Sequence, residues 1–173
     1  MLRLRKFYFL AILLCVLNSS AQKDFTISSP DGNLQLRVDA GKKLEWSITH
    51  QSQTIITPSS ISLTLQTGEV LGANPRIKTP LAVGAKFEKF NDKIAALNYK
   101  KDIVGDTYNQ LTLSCKGDYG VIFRLYNDGV AYRFFTKKKD SIVIRSEEAN
   151  FNFTGDDSAY IPYSNDPHNK DKY

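Results

Sequence analysis

Val121-Ile122-Phe123-Arg124-Leu125-Tyr126-Asn127-Asp128-Gly129-Val130-Ala131-Tyr132-Arg133-Phe134-Phe135 is the stretch that decides the fold class. Val121 to Tyr126 and Val130 to Phe135 are β-branched and aromatic runs, the composition of paired strands. Asn127-Asp128-Gly129 joins them as a hairpin connection, and its terminal glycine predicts a residue with positive φ. Arg124 and Arg133 lie opposite in phase to the apolar residues of the first strand. Alternation therefore puts them on a wet sheet face or in a structural ion pair, with ligand contact as a further role.

Working outward, the same period of two recurs. Leu34, Leu36 and Val38 point one way while Gln35, Arg37 and Asp39 point the other. Leu44-Trp46-Ile48, Ile61-Leu63-Leu65 and Leu111-Leu113-Cys115 repeat the pattern. Pro30-Asp31-Gly32, Ala40-Gly41 and Lys116-Gly117-Asp118 supply turns between them. Ile94 to Tyr99 breaks phase, which predicts a bulge or a weakly specified strand. No stretch carries a long helical period, and no internal repeat or low-complexity linker is present. Short strands separated by regular turns predict an all-β, antiparallel sandwich. Trp46 and Cys115 fall in phase with core residues, so packing comes before sugar stacking for one and nucleophilic chemistry for the other.

The first residues predict an exported protein, periplasmic or secreted. Arg3, Arg5 and Lys6 form a positive region, Phe7 to Leu17 an apolar one, and Asn18-Ser19-Ser20-Ala21 offers small residues for cleavage. Residues 1–21 are thus expected to be a signal peptide and 22–173 a single N-terminal-type β-sandwich domain. The apolar run is short for a span, so no membrane attachment is expected after cleavage. The whole chain has 23 Lys and Arg against 18 Asp and Glu. Three of the basic residues belong to the signal, leaving the remainder near neutral. Lys100-Lys101 and Lys137-Lys138-Lys139 then read as solvated turns and edge protection, and no nucleic-acid partner is expected. Cys115 is the single cysteine beyond the signal, which excludes an internal disulfide framework.

Catalytic signatures are missing from the sequence. There is no nucleophile elbow, no phosphate-cradling glycine loop, no Cys-x-x-Cys pair and no His-Glu-x-x-His helix. Glu147 and Glu148 are adjacent on an expected strand, so they face opposite ways and cannot form a glycosidase pair together. Asp156-Asp157 follows Gly155 as turn chemistry. An acid and base for sugar mutarotation could come only from His168 with Glu147 or Glu148. The richest binding constellation is Tyr160, Tyr163, Asn165, Asp166 and His168, where rings and amide or acid groups share one expected loop. That mixture suits a hydroxyl-rich ligand, with an ordinary surface loop as the competing reading. Asp166 and Asp171 do not have the spacing of a calcium loop.

Five separated segments carry a family likeness. They are Ser28-Ser29-Pro30-Asp31-Gly32-Asn33-Leu34, Asp106-Thr107-Tyr108-Asn109-Gln110-Leu111, Phe123 to Phe134, Ser146-Glu147-Glu148, and Ala159-Tyr160-Ile161-Pro162. In this order they resemble the N-terminal domain of glycoside hydrolase family 97, exported bacterial α-glucosidases and α-galactosidases. The resemblance implies a β-supersandwich similar to galactose-mutarotase-like domains. It also implies a separate catalytic barrel as partner, α-linked sugars or oligosaccharides as ligands, and calcium in the full-length enzyme. The family's glutamate ligand to the metal comes from a loop after the Ile-Pro region. Asn165 to Tyr173 contains no glutamate, so the resemblance assigns no catalytic or metal residue here. The chain is expected to stop before the barrel and before the sandwich is complete at its C-terminus. A free-standing exported sandwich that binds a protein partner is the alternative.

Overall fold

The computed structural model describes residues 23–95, 102–156 and 158. Ten strands follow in order: β1 (Asp24–Ser28), β2 (Leu34–Ala40), β3 (Leu44–His50), β4 (Gln53–Leu65), β5 (Val70–Leu71), β6 (Ala85–Ala95), β7 (Ile103–Cys115), β8 (Tyr119–Leu125), β9 (Val130–Thr136) and β10 (Ile144–Ala149). A single helical turn, α1 (Leu81–Gly84), precedes β6. One sheet runs β1-β2-β3-β4-β10 with β5 also on β4; the other runs β6-β7-β8-β9, and the pairings are antiparallel.

The alternation seen in the sequence is the reason these segments are strands. Leu36 opposes Ile48 and Val38 opposes Trp46, so successive pairs put their apolar members on one face. The other sheet answers with Leu111 opposite Phe123 and Leu113 opposite Val121. The facing residues merge into one core with Phe25, Leu44, Ile61 and Leu125, nearly all fully buried. Each such side chain contributes about 1.5–3 kcal/mol by leaving water. Trp46 and Cys115 sit in the interior as the pattern predicts, each 1 % exposed. Burial raises the Cys115 thiol pKa above its ordinary value, which keeps it an inert packing group at neutral pH.

Registers and cross-sheet bonds sort the connections into two ends. The turns after β1, β3 and β8 share one end, because Leu34 pairs with His50 and Asp31 reaches Asn127. The turns after β2, β4 and β7 and the link from β9 to β10 share the other. There Glu69 meets Lys138 and Lys78 meets Asp118. The Tyr119 hydroxyl accepts from the Gly72 N–H at 3.3 Å, and burial pushes the phenol up to about 12. β6 and β7 pair along eleven residues, from Ala85↔Leu113 to Ala95↔Ile103, whereas β8 covers only Asn109 to Cys115. A two-stranded ribbon therefore projects past β8 at the first end.

The structure departs from or adds to the sequence reading in three places. The hairpin β8–β9 forms, but the Tyr126 N–H closes it on the Gly129 carbonyl at 2.9 Å, and Gly129 is not among the positive-φ residues. The reversal is spread over four residues, so none of them is forced into the left-handed region. Ile94 and Ala95 hold regular register with Val104 and Ile103, so no bulge occurs there; residues 96–99 lie outside the described residues. The helical turn α1 has no counterpart in the sequence reading, since four residues are too few to show a helical period.

Candidate functional site

The first end of the sandwich gathers the segments that the sequence singled out. Asp31 is the centre of the β1–β2 turn. Its Oδ1 accepts from the Ser29 hydroxyl at 2.5 Å and the Asn33 N–H at 3.1 Å, and its Oδ2 accepts from the Asn33 amide at 2.7 Å. Gly32 completes the turn at φ +80°, a conformation that glycine adopts without penalty. The Ser29 hydroxyl is the main reason that the Asp31 carboxyl lies below its ordinary pKa, with the Asn33 N–H second. An acid so held stays ionised at neutral pH and acts as an organiser of the turn.

Two side-chain amides then tie the sheets together. Asn127, in the β8–β9 connection, accepts from the Asp31 N–H at 3.0 Å. Asn109, on β7, donates to the Ser28 carbonyl at 2.8 Å. Both bonds join residues more than eighty positions apart in sequence; the first satisfies a turn N–H and the second a carbonyl at the end of β1. Beside them lies an open cleft of about 460 Å³ whose lining includes Ile27, Ser28, Asp31, Phe87, Lys89 and Asn109.

An aromatic row crosses the outer face of the second sheet at the same end. Phe90 stacks on Tyr108 with centroids 4.8 Å apart, and Tyr126 leans on Tyr108 at 5.2 Å. The Arg124 guanidinium carbon sits 4.4 Å from the Tyr108 ring centroid. Arg124 Nε also donates to Gln110 at 3.1 Å, and Gln110 donates on to Thr112 at 3.2 Å. Tyr108 is buried by these neighbours, and that burial is the first cause of its raised phenol pKa. The arrangement offers preorganised rings and amides and no nucleophile with an adjacent base.

Tyr160, Tyr163, Asn165, Asp166 and His168 lie outside the described residues, as does the segment 1–21. Glu147 and Glu148 do face opposite ways, opposing Leu63 and Ser62. Glu148 accepts from Ser60 at 2.6 Å, Ser62 at 3.0 Å and Asn150 at 3.0 Å. The Ser60 hydroxyl leads the causes that lower its pKa. That carboxylate is a structural acceptor. The chain bends at Thr154 and Gly155 just ahead of Asp156, and Asp157 lies outside the described residues. Among the described residues no group of three His, Cys, Asp or Glu side chains comes together. No helix among them is long and apolar enough to cross a membrane. At the opposite end a larger cavity of about 640 Å³ has a lining that includes Leu65, Ile142, Val143, Glu69 and Lys138. Sequence reasoning missed Asn109 as a cross-sheet donor; its only local signal was an amide placed next to a strand's apolar run.

Comparison with known proteins agrees with this architecture. The model of the glycosyl-hydrolase 97 N-terminal family matches residues 27–173. A retaining alpha-galactosidase of Bacteroides thetaiotaomicron is 38% identical over 156 residues, covering 90% of this chain and 23% of that protein. A glycoside hydrolase family 97 enzyme from a Pseudoalteromonas species, solved with panose, superposes with a TM-score of 0.63 at 20% identity. That match covers 75% of this chain and 20% of the solved one. A beta-arabinopyranosidase structure gives 0.64 at 23% identity, over 75% and 21%. These two structural likenesses bear on the fold. The chain spans about a quarter or less of the length of these relatives.

Proposed function

The chain belongs to the glycosyl-hydrolase 97 N-terminal family, and from that premise we propose that it serves an exported α-glycosidase as a non-catalytic scaffold and sugar-contacting domain. The observation that carries the reading is the convergence of the Ser29–Asn33, Tyr108–Gln110 and Tyr126–Gly129 segments at one end, tied by Asn109 and Asn127. The chain beyond β10 runs toward that same end, since Phe153 bridges Ile56 and the Thr154 N–H donates to the Ile55 carbonyl. In a complete enzyme this end would face the catalytic barrel and shape one side of its sugar site. Calcium would there be held by residues other than those described.

Sugar contact from this domain is assigned to Tyr160, Tyr163, Asn165, Asp166 and His168, on their chemistry alone. α-Galactosides are the first substrates to test, given the 38% identity to an alpha-galactosidase. The isolated chain is expected to leave 4-nitrophenyl α-galactoside and α-glucoside unhydrolysed, and turnover above buffer would sink the non-catalytic reading. NMR titration with melibiose and maltose should give binding on the order of millimolar, about −4 kcal/mol. A mutarotase reading is disfavoured by Glu148, whose carboxylate is already engaged by Ser60, Ser62 and Asn150. Partner binding has one supporting observation: Val143, Ile144, Phe151 and Phe153 are exposed along the β10 margin. Apolar surface of that kind suits packing against further polypeptide.

A further inference from the structure

Two arginines on the outer face of the second sheet have no ion-pair partner among the described residues. Arg124 pairs in register with Ala131, and Ile122 pairs with Arg133, so the two arginines are diagonal neighbours on adjacent strands. Diagonal positions of this kind bring long side chains within reach of each other. Neither forms an ion pair among the described residues, where the four salt bridges use other groups. Arg124 spends only its Nε, on Gln110, and Arg133 makes no hydrogen bond there. The sequence reading allowed a wet sheet face or a structural ion pair for these residues, and no such pair forms among the described residues.

Between them is a recess of about 170 Å³ lined by Ile122, Arg124, Tyr126, Ala131, Tyr132 and Arg133. No acid lines it. The Tyr132 ring turns inward against Trp46 and Phe123, so the recess presents two guanidinium forks beside the Tyr126 ring, positive walls with one aromatic surface. Arg124 is held in place by Gln110 on one side and by the Tyr108 ring on the other. Its terminal nitrogens are therefore oriented before any ligand arrives, which lowers the ordering cost of binding. Guanidinium forks match carboxylate and sulfate oxygens in pairs, while aromatic rings cover the C–H face of a pyranose. The volume suits one ring and is too small for a chain.

We propose that this recess binds an anionic sugar unit, a pyranose bearing a carboxylate or a sulfate ester. The site is separate from the sugar contact assigned above and does not depend on hydrolysis by a complete enzyme. NMR titration of the purified chain would use galacturonate, galactose 6-sulfate, neutral galactose and inorganic sulfate. Galacturonate or galactose 6-sulfate should saturate near a millimolar, shifting the amides of Ile122, Ala131 and Arg133. Galactose and inorganic sulfate should each bind at least about tenfold more weakly. Raising ionic strength from about 0.01 M to about 1 M cuts the Debye length from roughly 30 Å to roughly 3 Å and should weaken the anionic sugars. Arg133→Gln, at an exposed position, and Arg124→Lys should each cost about tenfold while leaving the unfolding temperature nearly unchanged. Equal affinity for galactose would overturn the anionic assignment. Equal affinity for inorganic sulfate would overturn the ring contact. Failure of both acidic sugars to saturate, or shifts unaffected by the two variants, would overturn the site.

Discussion

The inner and outer faces of the β6–β9 sheet are built from the same strands and behave as different materials. On the inner face Leu111, Leu113, Val121 and Phe123 pack against the first sheet and are 0 to 1 % exposed. On the outer face Phe90, Tyr108 and Tyr126 stack on one another, and Arg124, Gln110 and Thr112 join in hydrogen bonds. The inner face is held by exclusion of water, which is nondirectional. The outer face is held by stacking and directed bonds, each worth little but fixing orientation. A sheet can thus put its stability on one side and a preorganised surface on the other.

Truncating the inner face should produce the largest effect. Phe123→Ala is expected to cost about 3–5 kcal/mol in urea unfolding, the range for a buried aromatic leaving a cavity. A loss below about 1 kcal/mol would mean that the two sheets do not share a tight core. Gly120→Ala tests how closely the strands approach. An added Cβ would lie 2.3 Å from the Leu113 carbonyl oxygen and 2.5 Å from the Phe135 ring. Backbone cannot yield as a flexible side chain does, so a cost of about 1–3 kcal/mol is expected. An unchanged melting temperature would contradict that packing.

Tyr108→Leu sharpens the comparison from the outer side. It keeps an apolar body but removes the stacking with Phe90 and the ring beneath Arg124. About 0.5–1.5 kcal/mol should be lost, and the Arg124 side-chain resonance should broaden as its orientation is released. A cost as large as that of Phe123→Ala would erase the distinction between the faces. The smallest effect concerns pH, on the outer side of the first sheet. Bonds from Ser60 and then Ser62 hold the Glu148 carboxyl below its ordinary 4.5. A depressed folded-state value stabilises the fold above about pH 4.5, and that contribution is lost as pH falls through the lower folded value. Denaturation from pH 7 to pH 3 should show Glu148→Gln losing less stability on acidification than the parent protein, by a fraction of about 1 kcal/mol. Parallel curves would show that those bonds do not discriminate the ionised acid.

The strands were legible because a period of two is a local property. Leu34-Leu36-Val38 and Leu111-Leu113-Cys115 announce a buried face without reference to any partner. The hairpin was legible for the same reason, although the four-residue connection relieved Gly129 of the positive φ expected of it. The roles of Asn109 and Asn127 were not legible. Each reads as strand or turn chemistry, and its partner lies 81 or 96 positions away. Arg124 and Arg133 show the same limit: phase placed them on a polar face, while their having no ion pair among the described residues depends on which strands became neighbours.

By itself, then, the sequence determined the antiparallel β class, the core membership of Trp46 and Cys115, the divergence of Glu147 from Glu148, and the likeness to the family 97 N-terminal domain. The first three follow from residue type and short-range spacing, and the likeness from five motif segments taken in order along the chain. Only the tertiary structure decided that β10 borders β4, that the motif segments meet at one end, and that a ring stack covers the outer face of β6 to β8. Strand order is fixed by which apolar faces bury each other best, a sum over residues far apart in the chain, and no local period encodes it.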